Sequence, residues 1–191
     1  MKPILFCDFD GTICHDRYWR SLPSEYHERV QQLLFRDDKT RVNDWMRGKY
    51  TAEEVNRFLA DELGLSYDEL WALFENECRT MQVPKNVLDK LHALREKYTV
   101  ILMTGNMDSF SRFTVPALGL EEYFDHISNS YHEGKHKSEL FIEYASRFGV
   151  LMRDCIVIDD NREICGIFES LGGTALLVGP EKDVTYYLAQ L

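Results

Sequence analysis

Hydrophobic and polar positions fall into two regimes along this chain. At the start, Ile4-Leu5-Phe6-Cys7 is a short continuous apolar run, the pattern of a strand buried on both sides. Residues 13 to about 83 instead repeat at helical spacing. Val55, Phe58, Leu59 and Leu63 mark one face of a helix, and Leu70, Leu73, Phe74 and Cys78 one face of another. Thr51-Ala52-Glu53-Glu54 and Ser66-Tyr67-Asp68-Glu69 read as capping boxes that open these two helices, and Gly64 closes the first. Earlier helices are predicted over Tyr26 to Phe35 and Val42 to Met46. The segment contains no convincing strand, and its Trp45, Phe58, Trp71 and Phe74 read as helical core.

From Pro84 onward helix and strand alternate. Val87, Leu88, Leu91 and Leu94 share a helical face. Thr99 to Met103, His126 to Asn129, Cys155 to Ile158 and Ala175 to Val178 read as strands. Helices are predicted over Ser109 to Leu118, with Pro116 bending or ending it, over Ser138 to Phe148, Arg162 to Leu171 and Val184 to Leu191. This alternation predicts an α/β fold, a parallel sheet flanked by helices. Ligands in such sheets bind beyond the carboxyl ends of the strands. Asp8, Thr104 and Asp159 each follow a predicted strand, so the fold can gather them. The helical segment enters immediately after the first strand and therefore emerges above the same edge, as a lid.

The first strand runs into Asp8-Phe9-Asp10-Gly11-Thr12. Extended chain alternates its side chains, so Asp8 and Asp10 point one way and Phe9 the other. Two carboxylates at the end of a buried strand are costly without a cation or a proton. Gly11 permits a tight turn after them. Such a stretch suits a hard, oxygen-preferring cation and a phosphate.

Composition narrows the partners. A chain of 191 residues with 45% hydrophobic positions suits one sizeable core and a small accessory unit. A net charge of −10 repels nucleic acid and anionic membranes, so an anionic substrate must be drawn in by a local cation. The five cysteines are odd in number and lack a C-x-x-C pair, which favours reduced, buried thiols over disulfides or zinc. No signal peptide precedes the first strand and no apolar run approaches the roughly 20 residues of a membrane span, so a cytoplasmic protein is expected. No heptad or obvious interface declares an oligomeric state.

Four stretches together resemble the motifs of the haloacid dehalogenase (HAD) superfamily, in the family's order. They are Asp8-Phe9-Asp10-Gly11-Thr12, Ile101-Leu102-Met103-Thr104-Gly105-Asn106, Gly134-Lys135-His136-Lys137-Ser138-Glu139 and Ile156-Val157-Ile158-Asp159-Asp160-Asn161. The resemblance covers nearly the whole chain. It implies a Rossmann-like core at residues 1–13 and 84–191, with a helical cap of the C1 type at 14–83. It implies a phosphatase in which Asp8 is the nucleophile and Asp10 the general acid and base. Thr104, Gly105 and Asn106 would hold the phosphate. Mg²⁺ would be held by Asp8, Asp10 and Asp159, with Asp160 acting through a water and Glu163 at most in the outer shell.

The motif lysine stays open. Counting from Gly134, with Ser138 as helix N-cap, favours Lys137; counting back from Phe141 and Gly149 favours Lys135. The resemblance also implies that Asp10 separates this chain from dehalogenases, which lack the second aspartate. In the lid, His15, Arg17 and Tyr18 are candidate substrate contacts, with Arg47, Lys49 and Tyr50 behind them. The expected substrate is a small phosphorylated metabolite. The resemblance implies hydrolysis through an aspartyl-phosphate intermediate; a phosphomutase using that intermediate and a non-catalytic sensor of phosphometabolites are the alternatives.

Overall fold

The computed structural model describes residues 2–191; Met1, part of the expected core segment 1–13, lies outside the described residues. β1 (Ile4–Cys7) is the central strand of a five-stranded parallel sheet. β2 (Thr99–Thr104) and β3 (His126–Asn129) extend it on one side, β4 (Cys155–Asp159) and β5 (Thr174–Leu177) on the other, in the order β3-β2-β1-β4-β5. The strand order reverses at β1, which opens a crevice at the carboxyl ends of β1, β2 and β4.

The segment after β1 carries α1 (Ser24–Gln31), α2 (Thr40–Trp45), α3 (Ala52–Leu63) and α4 (Tyr67–Arg79). α5 (Lys85–Leu94) then leads into β2. α6 (Val115–Leu118) and α7 (Ser130–Glu133) are single turns, and α8 (Lys137–Arg147), α9 (Arg162–Ser170) and α10 (Val184–Leu188) complete the chain. The capping box at Thr51 forms both of its bonds with Glu54, whereas Ser66 only accepts from the Glu69 amide. The expected helix over Ser109 to Leu118 opens into a wide turn at Phe110–Thr114 before α6. Pro116 has no N–H to offer Arg112, so the preceding turn widens to i→i+5 bonding. A similar wide turn, Gln32–Arg36, extends α1.

Alternate residues of β1 serve two apolar layers, as the pleat requires. Ile4 and Phe6 pack with Phe141 of α8 and Phe168 of α9; Phe6 meets those rings edge-on at 5.4 and 5.9 Å. Leu5 and Cys7 join a larger cluster that runs through Phe9 and Phe110 into the helical segment, where Trp19, Trp45 and Phe74 are fully buried. All five cysteines are free and buried, matching the sequence expectation. Among the described residues no helix is long and apolar enough to cross a membrane.

Candidate active site

Strand register places the acids. Cys7 pairs with Leu102 on one side and Ile158 on the other, and the Asp8 amide donates to the Ile158 carbonyl. Asp8 therefore leaves the sheet beside Asp159. Lys137, the first residue of α8, reaches across with Nζ 2.8 Å from Asp8 Oδ2 and 2.7 Å from Asp159 Oδ2. Asp160 completes the group: one oxygen from each of Asp8, Asp159 and Asp160 lies within 4.8 Å of the others. Three carboxylates against one ammonium leave two negative charges in a small, largely buried volume.

Burial and crowding together shift the proton affinities of these groups. Burial, then the charge of Asp8, pushes the Asp159 carboxyl up to about 6, against the pull of Lys137. Burial and Asp8 raise Asp160 in the same way. Burial works against the Lys137 ammonium, but Asp8 and Asp159 hold it well above the usual lysine range. Gly11, at φ +80°, lets the backbone slide under Asp160; a Cβ there would stand 2.1 Å from Asp160 Oδ2.

Asp10 sits apart from this cluster. Burial, then Asp8, pushes its carboxyl up to about 7. Asn106 Nδ2 donates to Asp10 Oδ2 at 2.6 Å, and the Tyr18 hydroxyl donates to Asn106 Oδ1 at 2.8 Å. The Asn106 amide is also taken, donating to Ser130 Oγ at 3.0 Å. The expectation that Asn106 faces a phosphate is therefore corrected. Its side chain is occupied from both ends, and it orients Asp10. The Thr104 hydroxyl is buried with no protein partner, and the residue borders an open cavity. It is free to donate into that cavity.

Two cavities meet here. The first, about 450 Å³, touches Asp8, Asp10, Thr104, Gly105, Lys137 and Asp160. The second, about 310 Å³, extends under the helical segment from Asp10 and Gly105.

Comparison with known proteins agrees with this geometry. A model of haloacid dehalogenase-like hydrolases matches residues 3–164. The chain belongs to that family. Similar solved structures share the fold along nearly the full chain. A HAD family enzyme from Bacteroides thetaiotaomicron is 20% identical with a TM-score of 0.75, covering 97% of this chain and 98% of its own. The same enzyme has been solved in complex with magnesium and inorganic phosphate, at 19% identity, a TM-score of 0.71, and coverage of 98% and 99%. A 2-haloacid dehalogenase from Pseudomonas syringae pv. Tomato DC3000 is 17% identical with a TM-score of 0.67, over 95% and 88%. No curated protein matches the chain.

In this HAD-like hydrolase the two candidate lysines divide cleanly. Lys135 pairs with Glu143 at the surface, at 2.7 Å, while Lys137 stands between the buried acids. The helix starts two residues earlier than the Ser138 cap implied. His136 is the N-cap, and its amide is held by Glu139 Oε2 at 2.8 Å.

Of the lid candidates, Arg17 and Tyr18 line the second cavity, and His15 borders a different hollow near Pro84. Lys49 pairs with Asp44, Tyr50 lies under Arg41, and neither borders the two central cavities. Arg47 likewise lines neither. Sequence reasoning missed Gln31, Phe35, Met46 and Met107, which also wall the second cavity. Gln31 and Phe35 stand four apart on one helical face, but nothing in that spacing says what the face meets.

Buried polar contacts fasten the helical segment to the sheet domain of the hydrolase. Asp108 accepts from the Trp45 indole at 2.7 Å, the Ala52 amide at 3.2 Å and Arg112 at 2.8 Å. Arg112 also pairs with Glu53. Ser130 Oγ donates to the Met46 carbonyl at 2.8 Å. These contacts hold Met46, and with it the chamber wall, in register with Gly105 and Asp10.

Proposed function

We propose that this hydrolase is a Mg²⁺-dependent phosphatase that cleaves a small phosphomonoester through an aspartyl-phosphate on Asp8. One observation carries the reading. Asp8, Asp159 and Asp160 converge with Lys137 beside the unpartnered Thr104 hydroxyl, at the floor of an open cavity. The donors are hard oxygens, the set Mg²⁺ takes, and the two surplus negative charges match a divalent ion. Asp8, Asp159 and Asp160 would hold it, with Asp10 contributing its backbone carbonyl. Bound there, the ion neutralises charge on the phosphoryl oxygens.

Asp8 attacks phosphorus opposite the leaving oxygen. Asp10, whose carboxyl burial pushes up to about 7, gives its proton to that oxygen and then takes one from the incoming water. Thr104 and the Gly105 amide donate to the phosphoryl oxygens, and Lys137 balances charge on both Asp8 and the transferring group. Asn106 and Tyr18 act through Asp10 as positioning residues. Residues 14–83 serve as a helical cap over a core formed by 1–13 and 84–191.

The test is Mg²⁺-dependent release of inorganic phosphate from p-nitrophenyl phosphate. Release without added acceptor favours hydrolysis over mutase chemistry, and any turnover excludes a pure sensor. Asp10 also predicts no halide release from chloroacetate; release of halide without phosphatase activity would overturn the reading.

Two further results are expected. Asn106→Ala frees Asp10 to turn away. We expect kcat for an alkyl phosphate to fall roughly 10²-fold, and for p-nitrophenyl phosphate much less, because nitrophenolate leaves without a proton. Equal losses on both esters would place Asn106 elsewhere in the mechanism.

The second concerns metal and pH. Folded Asp159 keeps its proton up to about 6, whereas the unfolded chain loses it near 4. Metal-free stability therefore falls as pH rises through that window. Mg²⁺ binds the ionised form, so it should raise the melting temperature more near pH 8 than near pH 5. Thermal melts with and without Mg²⁺ check this; an equal or absent shift near pH 8 contradicts it.

A further inference from the structure

The two cavities share Asp10, Met46 and Gly105 as a common wall. With phosphate in the acidic cavity, the other cavity, reached past Asp10, is open to the leaving group. That chamber is about 310 Å³, room for a small ring system and its substituents. Tyr18, Phe35, Met46 and Met107 give it mostly apolar walls. The Tyr18 hydroxyl is already engaged with Asn106. Apart from Asp10, the polar side-chain heads that remain on its lining are Arg17 and Gln31.

Neither head is satisfied by the protein. Among the described residues Arg17 forms no ion pair, and the one hydrogen bond its guanidinium donates goes to the neighbouring Asp16 carbonyl. The Gln31 side chain makes no hydrogen bond among the described residues. The Arg17 guanidinium therefore keeps donors free at the chamber wall. Arg17 is also close enough for its charge to bear on Asp10.

We propose that the leaving group is a flat, mainly apolar ring bearing an anionic acceptor, such as a carboxylate, that Arg17 and Gln31 bind. This rests on the phosphatase reading and names its substrate class. The ring lies against Phe35, Met46 and Met107, and the acceptor faces the guanidinium, whose planar fork matches a carboxylate. A polyhydroxylated sugar fits poorly. Each hydroxyl would lose water without gaining a partner, at roughly tenfold in affinity per group. In the reaction the P–O ester bond breaks and the leaving oxygen takes the Asp10 proton. Water supplies the fourth oxygen of the released phosphate.

The experiment compares phosphate release from benzyl phosphate, 4-carboxybenzyl phosphate and glucose 6-phosphate, all primary alkyl esters of similar intrinsic reactivity. Acetyl phosphate serves as a compact substrate without a ring. We expect kcat/KM for the carboxybenzyl ester to exceed the benzyl ester by about 10-fold and glucose 6-phosphate by about 100-fold. Arg17→Met should bring the carboxybenzyl-to-benzyl ratio close to one. Arg17 is exposed, so the variant should fold. Glucose 6-phosphate turned over as well as the benzyl esters, or a ratio unmoved by Arg17→Met, overturns the inference while acetyl phosphate turnover leaves the phosphatase reading standing. No phosphate from any of the three esters or from acetyl phosphate overturns both.

Discussion

Asp8→Asn is expected to lower kcat by at least roughly 10⁴-fold and to leave the protein folded. The amide cannot attack phosphorus, and no other side chain stands where Asp8 does. Asp10 lies on the same strand end but its Oδ2 is engaged with Asn106. Asp159 is held by Lys137 and by the Asn161 amide at 2.9 Å. The fold should survive because Asn replaces Asp at nearly the same volume and relieves repulsion among three crowded carboxylates. Near neutral pH without Mg²⁺ the variant should melt no lower than the parent. Steady-state phosphate release and thermal melts check both halves; substantial residual turnover removes Asp8 from the chemistry.

Lys137→Met acts on stability as well as rate. Asp8 is 4% exposed and Asp159 1%, so removing the ammonium leaves two buried carboxylates facing each other. Breaking one side of a buried ion pair costs about 3–5 kcal/mol, a fall of roughly 10 °C in melting temperature for a chain this size. The sign with pH follows from Asp159, whose carboxyl already sits near 6 beside the lysine. Acid protonates it and relieves the repulsion, so the loss should be larger near pH 8 than near pH 5. Excess Mg²⁺ should restore part of the difference by supplying the missing positive charge. Activity should fall roughly 10²- to 10³-fold from lost transition-state stabilisation. A parent-like melting temperature near pH 8 would contradict the bridging role.

Much of this was legible in the sequence because the relevant signals are local. The apolar run Ile4 to Cys7, the alternation of Asp8 and Asp10, and the strand ends at Thr104 and Asp159 depend on neighbours a few residues away. A parallel sheet then gathers strand ends whatever separates them in the chain. The sequence left Lys135 and Lys137 open because both flank the same helix start, and only the position of His136 as cap turns Lys137 toward the buried acids. Asn106 was misread because its role depends on Tyr18, 88 residues earlier, reaching it across the lid interface. Phe35 and Met46 were missed for the same cause. Their position follows from how the lid helices seat on Asp108, Arg112 and Ser130, contacts between parts of the chain that no periodicity describes.

The most direct test is to catch the phosphoryl group on Asp8. The enzyme is acid-quenched during turnover, treated with borohydride, which reduces an acyl phosphate to the alcohol, and digested for mass spectrometry. Homoserine should appear in place of Asp8, only when substrate and Mg²⁺ are both present. An unmodified Asp8 under conditions of steady phosphate release, or homoserine at Asp10 or Asp159 instead, would contradict the mechanism.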